Sequence, residues 1–187
     1  PTAVVHPSVR LGKGVSVGPF VTVEREAEIR DGAVLQARVH VGARSVVGEG
    51  SVLFPGVVVY QDVQLGSRVR VHANSVIGAD GFGFAQEKTA AGLRHVKIHH
   101  LGGVKVGDDV EIGAGTTVDR GTLGCTQVGN GCILDNQVQV GHNCVLEEGV
   151  IVCGCSGLAG SAQVGKFALL AGFVGVGNRV RIGVGAQ

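Results

Sequence analysis

The sequence has no methionine and no tryptophan, a single tyrosine and only 4 prolines among its 187 residues. It has no apolar run near the roughly 18 residues that a membrane-spanning helix needs, and its first residues, PTAVVHPSVR, do not resemble a signal peptide. Because 16 basic residues nearly balance 15 acidic ones, the overall charge does not indicate binding to nucleic acid or to a membrane surface. We therefore expect a cytoplasmic, one-domain protein with neither of these partners.

The 5 cysteines give no sign of a disulfide framework. An odd number of thiols without an export signal indicates reduced cysteines. Cys153 and Cys155 have one residue between them, whereas zinc knuckles and redox motifs usually have two or more. We therefore expect no metal at this pair.

Glycine is abundant, with 33 residues, and an aliphatic residue returns at every sixth position. The series runs unbroken through the first part of the chain, resumes after an interruption, and then shifts register once. Its members are Val5, Leu11, Val17, Val23, Ile29, Leu35, Val41, Val47, Leu53, Val59, Leu65, Val71, Ile77, Val106, Ile112, Val118, Val128, Leu134, Val140, Leu146, Val152, Leu158, Val164, Leu170, Val176 and Ile182.

A period of six fits neither an α-helix nor a simple alternating strand, because every hexad needs one corner between short flat strands. Three hexads make one turn of a triangular prism, and successive turns stack about 4.8 Å apart as parallel sheets. We predict an all-β, parallel β-helix over residues 1–187, with Gly, Asn and Asp at the corners. Small residues two positions before each marker also point inward, which makes Cys132 and Cys144 part of the core.

Two departures from the register predict loops that leave the prism, at about residues 78–103 and 119–127. Such loops on a rigid scaffold often carry function. Phe82 and Phe84, in GADGFGF, indicate an apolar contact with a ligand or another subunit. Three histidines near the end of the longer loop leave a zinc site open as an alternative, as in β-helical carbonic anhydrases: His95, His99 and His100.

His142, in DNQVQVGHN, lies at a predicted corner and is a candidate general base. One full turn later the same column contains Gly160, whose backbone N–H would be a candidate oxyanion donor. Asp135 comes from the neighbouring side of the same turn, and we expect it to accept a hydrogen bond from the far imidazole nitrogen. A convex prism lacks a second wall for a groove, which a homotrimer would supply.

The segments IGADGFGFA, VEIGAGTTVDRGTL, VGNGCILDNQVQVGHN and AGSAQVGK resemble the UDP-3-O-acylglucosamine N-acyltransferases of lipid A synthesis, which are hexapeptide-repeat enzymes. The resemblance implies a left-handed coil and transfer of a (3R)-3-hydroxyacyl chain from acyl carrier protein to the 2-amino group of UDP-3-O-(3-hydroxyacyl)glucosamine. It implies His142 as base, Gly160 as oxyanion donor and Asp135 as the residue that orients His142. Asn143, Gln139 and Asn136 would line the sugar or pantetheine groove. The donor is the phosphopantetheine thioester of the carrier protein, and the reaction uses no metal and no other cofactor.

The chain departs from the family pattern in three ways. We expect the family's amino-terminal uridine-binding domain and carboxy-terminal helices to be absent, because the hexads begin at Val5 and continue to the last residues. A second family histidine beyond AGS has no counterpart in VGVGNRVRIG. The alternatives are a UDP-N-acetylglucosamine O-acyltransferase, a non-catalytic β-solenoid module and the zinc enzyme.

Overall fold

The six-residue period appears as a succession of very short strands, because a corner interrupts the extended backbone in every hexad. The computed structural model describes residues 2–187, and every regular element in that range is a β-strand. In chain order the strands are β1 Val4–Val5, β2 Arg10–Leu11, β3 Ser16–Val17, β4 Thr22–Val23, β5 Glu28–Ile29, β6 Val34–Leu35, β7 His40–Val41, β8 Val46–Val47, β9 Val52–Leu53, β10 Val58–Val59, β11 Val63–Leu65, β12 Arg70–Val71, β13 Val76–Ala79, β14 Phe84–Thr89, β15 Gly92–Lys97, β16 Gly103–Val106, β17 Glu111–Ile112, β18 Thr117–Asp119, β19 Cys125–Val128, β20 Ile133–Leu134, β21 Gln139–Val140, β22 Val145–Leu146, β23 Ile151–Val152, β24 Gly157–Leu158, β25 Gln163–Val164, β26 Leu169–Leu170, β27 Gly175–Val176 and β28 Arg181–Ile182.

These strands form three parallel sheets that are the sides of a prism. The first sheet runs from β1 to β27 with 9 strands, the second from β2 to β28 with 9, and the third from β3 to β26 with 8. The chain visits the sheets in rotation, and strands one turn apart pair in register, as Val140 does with Leu158. The prediction of a parallel β-helix is therefore confirmed. We call the corner between the first and second sheets the first vertex, and the corner between the third and first sheets the third vertex.

The prism interior is filled by the two inward residues of each hexad. Marker residues in the middle of the coil are fully buried, and so are the small residues before them. Cys132 and Cys144 lie in this core, where their thiols donate to the carbonyl oxygens of Glu147 at 3.0 Å and Ala159 at 3.2 Å. Burial raises the pKa of the Cys144 thiol to about 11. Their predicted place in the core is confirmed.

Left-handed backbone angles recur at the corners, as the hexad pattern predicts, but the residues there are larger than expected. Arg44, Phe167 and Phe173 have φ values of 58°, 55° and 59°. A side chain in this conformation costs roughly 1–2 kcal/mol. Stacking between turns offsets part of that cost, since Arg44 makes two hydrogen bonds of 2.7 and 2.8 Å to Asp62 one turn later.

Both departures from the register leave the prism at the first vertex. The longer one lies between β13 and β16 and contains the antiparallel hairpin of β14 and β15, whose residues are mostly exposed. The shorter one lies between β18 and β19. Arg120, only 4% exposed, joins them by donating to the carbonyl oxygens of Gly78 at 2.8 Å and of Gln61. The two loops are thus fixed at the same corner.

Candidate active site

His142 lies at the first vertex, between β21 and β22 and next to both loops. Its side chain is partly buried, and its ring packs edge-on against the ring of His100 with 5.3 Å between centroids. Gly81, in the longer loop, makes room for both rings, since a Cβ atom there would lie 2.8 Å from His142 Cβ and 2.9 Å from His100 Nε2. A glycine at position 81 is therefore required for the loop to close over the histidine.

Asn143 determines the tautomer of His142. Its Oδ1 accepts the backbone N–H of Thr122 at 2.9 Å, and its Nδ2 donates to the carbonyl oxygen of Leu123 at 3.4 Å. These two bonds define the orientation of the amide, so that an acceptor oxygen faces His142 Nδ1 at 3.1 Å. Nδ1 must then bear the hydrogen, because Oδ1 can only accept. The lone pair of the neutral ring is on Nε2, as a general base requires.

Gly160 lies one turn above His142 in the same column, as the register predicts. A Cβ atom at Gly160 would be 2.5 Å from His142 Nε2, so the peptide approaches the ring at its basic nitrogen. Within the described residues 2–187, the Gly160 N–H donates to no acceptor. A base and a free backbone donor therefore lie side by side, as acyl transfer through a tetrahedral oxyanion requires.

The space in front of these two groups is a cavity of about 550 Å³. Phe82 and Phe84 form one wall, and their exposed fractions of 88% and 45% leave them open to a ligand. Lys97 of β15 completes that wall, since its Nζ lies 5.2 Å from the centre of the Phe84 ring and donates to the Gly81 carbonyl oxygen at 2.9 Å. The expected loop aromatics thus lie at the same cavity as His142.

Comparison with known proteins identifies the relatives of this chain. Residues 44–79 match the family described as bacterial transferase hexapeptide (six repeats). The UDP-3-O-acylglucosamine N-acyltransferase of Pseudomonas syringae pv. syringae (strain B728a) is 41% identical over 160 residues, which are 86% of this chain and 44% of that protein. The chain is a hexapeptide-repeat homologue of the UDP-3-O-acylglucosamine N-acyltransferases. The protein of the same name from Ectopseudomonas mendocina (strain ymp) is 47% identical over 114 residues, 61% of this chain and 31% of that one.

The chain spans less than half the length of these curated N-acyltransferases. Among solved structures, UDP-N-acetylglucosamine O-acyltransferase from Moraxella catarrhalis RH4 superimposes with a TM-score of 0.72 at 24% identity, over 98% of this chain and 61% of that one. UDP-N-acetylglucosamine acyltransferase from Campylobacter jejuni gives 0.71 at 20% identity, over 98% and 61%. These two likenesses establish the shared β-helix.

Asp119 and Gln139 of this N-acyltransferase homologue also line the cavity. Gln139 Nε2 donates to Asp119 Oδ2 at 2.9 Å, and Thr117 donates its hydroxyl to Gln139 Oε1. Burial raises the pKa of Asp119, while the hydrogen bond from Gln139 and the charges of His142, His100 and Lys97 oppose the rise. Sequence reasoning selected Gln139 and missed Asp119. The repeat could have revealed it, because the spacing between Asp119 and Gly141 is one turn plus the surplus residues of the shorter loop. Asp119 therefore lies in the column of Gly141, the residue before His142.

The structure corrects the predicted position of Asp135. It lies at the third vertex, where its oxygens accept the backbone N–H of Asn136 at 2.7 Å and of Gly154 at 2.9 Å. A full side of the prism separates it from His142, so it does not contact the imidazole. Asn136 lies at the same vertex and accepts the backbone N–H of Ala114 at 2.7 Å. Neither residue lines the cavity, and Asn143 occupies the position that was expected for Asp135.

The three loop histidines do not form one cluster. His95 and His99 are exposed, whereas His100 is 4% exposed and turned towards His142. No group of three or more His, Cys, Asp or Glu side chains in residues 2–187 is arranged to hold a metal ion. The arrangement of these histidines therefore gives no support to the zinc alternative.

A larger groove of about 700 Å³ crosses the outer face of the second sheet. Its lining includes Gln64, Lys105, Gln127 and Glu147 but no His, Ser or Cys side chain. Because it offers neither a histidine base nor a Ser or Cys nucleophile, we place the candidate chemistry in the smaller cavity at His142. No segment of residues 2–187 forms a helix capable of spanning a membrane.

Proposed function

We propose that this protein moves a (3R)-3-hydroxyacyl chain from the phosphopantetheine thioester of acyl carrier protein to the 2-amino group of UDP-3-O-(3-hydroxyacyl)glucosamine, as a step of lipid A biosynthesis. The observation that carries the proposal is the approach of Gly160, whose N–H has no acceptor in residues 2–187, to the basic Nε2 of His142 at the loop-covered cavity. The names of the curated relatives point to the same acceptor.

His142 acts as the general base. The amine nitrogen attacks the thioester carbonyl carbon, and His142 Nε2 takes the proton that the nitrogen must lose. The carbonyl oxygen gains negative charge and receives the Gly160 N–H. When the intermediate collapses, the C–S bond breaks, the imidazolium returns its proton to the leaving thiolate, and an amide and a free thiol remain. Direct transfer of this kind uses no metal and no cofactor beyond the donor substrate.

The remaining cavity residues hold the substrates. Phe82 and Phe84 offer the apolar surface that an acyl chain or a pantetheine arm requires, and Gln139 offers an amide beside the base. Asn143 contributes by orienting His142 rather than by touching a substrate. Asn136 and Asp135 are left out of the proposed machinery because they lie at the third vertex.

The working assembly is a homotrimer. The cavity opens at the convex first vertex, so a neighbouring subunit supplies its second wall and covers the exposed hairpin. Acyl carrier protein and the UDP-sugar are its other partners, and the cytoplasm is the compartment in which both are available. An isolated hairpin exposed on both faces is marginally stable, which favours such a cover.

The test supplies the purified protein with a 3-hydroxyacyl carrier thioester and, separately, two acceptors. Mass spectrometry should find an N-acylated product from UDP-3-O-(3-hydroxyacyl)glucosamine and none from UDP-N-acetylglucosamine. Acylation of the second acceptor instead would establish the O-acyltransferase alternative. Failure to acylate either acceptor would favour the non-catalytic solenoid.

A further inference from the structure

The Asp119 side chain lines the cavity, and one of its two carboxylate oxygens has no hydrogen-bond partner within residues 2–187. Gln139 holds its Oδ2, and Gln139 is itself held by Thr117, so the carboxylate has a defined orientation. Oδ1 has no hydrogen-bond partner in the part of the chain that the structure describes, and it is not among the buried unpaired atoms. A ligand group that fills the cavity beside His142 can therefore donate to it.

His100 adds a second acceptor on the other side of His142. Its Nδ1 lies 3.1 Å from the carbonyl oxygen of Ile98, so Nδ1 bears the hydrogen and Nε2 has the lone pair. Nε2 is the one buried side-chain nitrogen or oxygen without a partner in residues 2–187. It is directed towards Gly81, which lines the cavity.

We infer that Asp119 makes this site selective for an amine over a hydroxyl as the acyl acceptor, with His100 as a positioning residue behind His142. The inference rests on the proposed function and deepens it. Two groups that line the cavity can accept a hydrogen from the attacking atom, His142 Nε2 and Asp119 Oδ1, and His100 Nε2 lies one layer behind them. Such a site fits an attacking atom with more than one hydrogen to donate.

An amine and a hydroxyl differ in the number of hydrogens they bring. A neutral amine uses its lone pair for attack, donates one hydrogen to His142 Nε2 and donates the second to Asp119 Oδ1. That second hydrogen stays on nitrogen in the amide product, so Asp119 exchanges no proton. A hydroxyl has one hydrogen, which His142 takes, and its remaining lone pair then faces the carboxylate. The repulsion disfavours attack by oxygen.

His100 supports the base through its contact with the His142 ring. Its unpaired Nε2 adds negative potential beside His142, which favours the imidazolium that forms as the amine is deprotonated. Because its ring packs edge-on against His142, it also restricts the swing of the base. Removing it should therefore lower kcat with little effect on KM.

The experiment measures kcat/KM of the purified protein for UDP-3-O-acylglucosamine and for the analogue with a hydroxyl at the 2-position, in wild type and Asp119→Asn. Loss of the charge-assisted hydrogen bond should lower kcat/KM for the amine by about 10- to 100-fold. The value for the hydroxyl analogue should stay constant or rise, because the amide of the variant can donate to oxygen. Asp119→Ser should likewise reduce the ratio of kcat/KM for the amine to kcat/KM for the hydroxyl analogue. His100→Phe, which keeps a ring without the nitrogen, should lower kcat for the amine.

Asp109→Asn is the matched control, since Asp109 forms an exposed ion pair with Arg68 at a different vertex. Calorimetry without the thioester donor gives a second readout, the affinities of the protein for the amine acceptor and for its hydroxyl analogue. Asp119→Asn should make these two affinities more alike. An active wild type whose amine preference survives both Asp119 substitutions would overturn this inference and leave the proposed function intact. If wild type neither binds nor acylates either acceptor, both this inference and the proposed function would be overturned.

Discussion

Replacement of Gly160 by alanine is a direct test of the contact between the oxyanion donor and the base. The added Cβ would lie 2.5 Å from His142 Nε2, 2.6 Å from Cε1 and 3.0 Å from Cδ2. The closest of these contacts is about 1 Å shorter than the roughly 3.5 Å of an ordinary van der Waals contact. Gly160 does not have a positive φ, so alanine adds no backbone strain there.

The imidazole must therefore move by about 1 Å, and a displacement of that size costs about 100-fold in rate. The ring borders a cavity and can swing into it, so the loss of stability should be near the lower end of the roughly 1–3 kcal/mol that overpacking costs. The hydrogen bond from Nδ1 to Asn143, now 3.1 Å, should lengthen as well.

The assay compares kcat for amide formation and the melting temperature of the variant with those of wild type. Gly157→Ala is the matched control, because the same methyl group added in β24 meets no atom within 4 Å. Gly160→Ala should lose activity while it keeps most of its stability, and Gly157→Ala should keep both. Wild-type activity in Gly160→Ala would refute the placement of this peptide against the base.

Three further changes test neighbouring parts of the structure. Asn143→Gly, which suits the positive φ of 59°, should lower kcat by about 10- to 100-fold at nearly constant KM, because either tautomer of His142 becomes available; steady-state kinetics with a raised KM alone would instead assign Asn143 to substrate binding. The exposed Cys155 should react with iodoacetamide at neutral pH while Cys132 and Cys144 stay unmodified by peptide mapping, because burial raises the Cys144 pKa to about 11; the stability that goes with this shift is present below the ordinary thiol pKa of 9.0 and is lost as pH rises towards 11. Labelling of Cys144 in the native state would contradict its place in the core. Arg44→Gln should lower stability only slightly at neutral pH, because both side chains of the pair are about half exposed and solvent screens their charges. The hydrogen bond from Arg44 lowers the Asp62 pKa, so the stability that the pair contributes is present above the ordinary pKa of 3.8 and is lost as pH falls through the lowered pKa. Urea unfolding of wild type and Arg44→Gln at neutral and at acidic pH should therefore show a difference in unfolding free energy that disappears at acidic pH. A difference that is the same at both pH values would contradict a contribution from this ion pair.

The fold could be predicted from the sequence because the hexad repeat determines both the side of the prism and the turn on which each residue lies. The same count placed Gly160 beside His142 and Cys132 in the core. The predicted contact between Asp135 and His142 was wrong, because the two residues are close along the chain but lie at different vertices. A side chain one hexad away lies at another vertex, whereas a residue one full turn away lies next to it.

Other parts of the site lie beyond the reach of the repeat. His100 belongs to a loop that has no hexad register, so only the folded hairpin reveals that it packs against His142. The role of Asn143 depends on which way its amide faces, and two backbone partners from the shorter loop decide that. These contacts are set by loop geometry, which a periodic pattern does not encode.

The proposed mechanism requires His142 to remove the proton from the attacking amine. The most direct test of this role is kcat for amide formation by wild type and His142→Ala, measured with saturating thioester and UDP-3-O-acylglucosamine. We predict a loss of about 100-fold or more at an unchanged melting temperature, because the partly buried ring lies outside the core. Equal rates for the two proteins would contradict it.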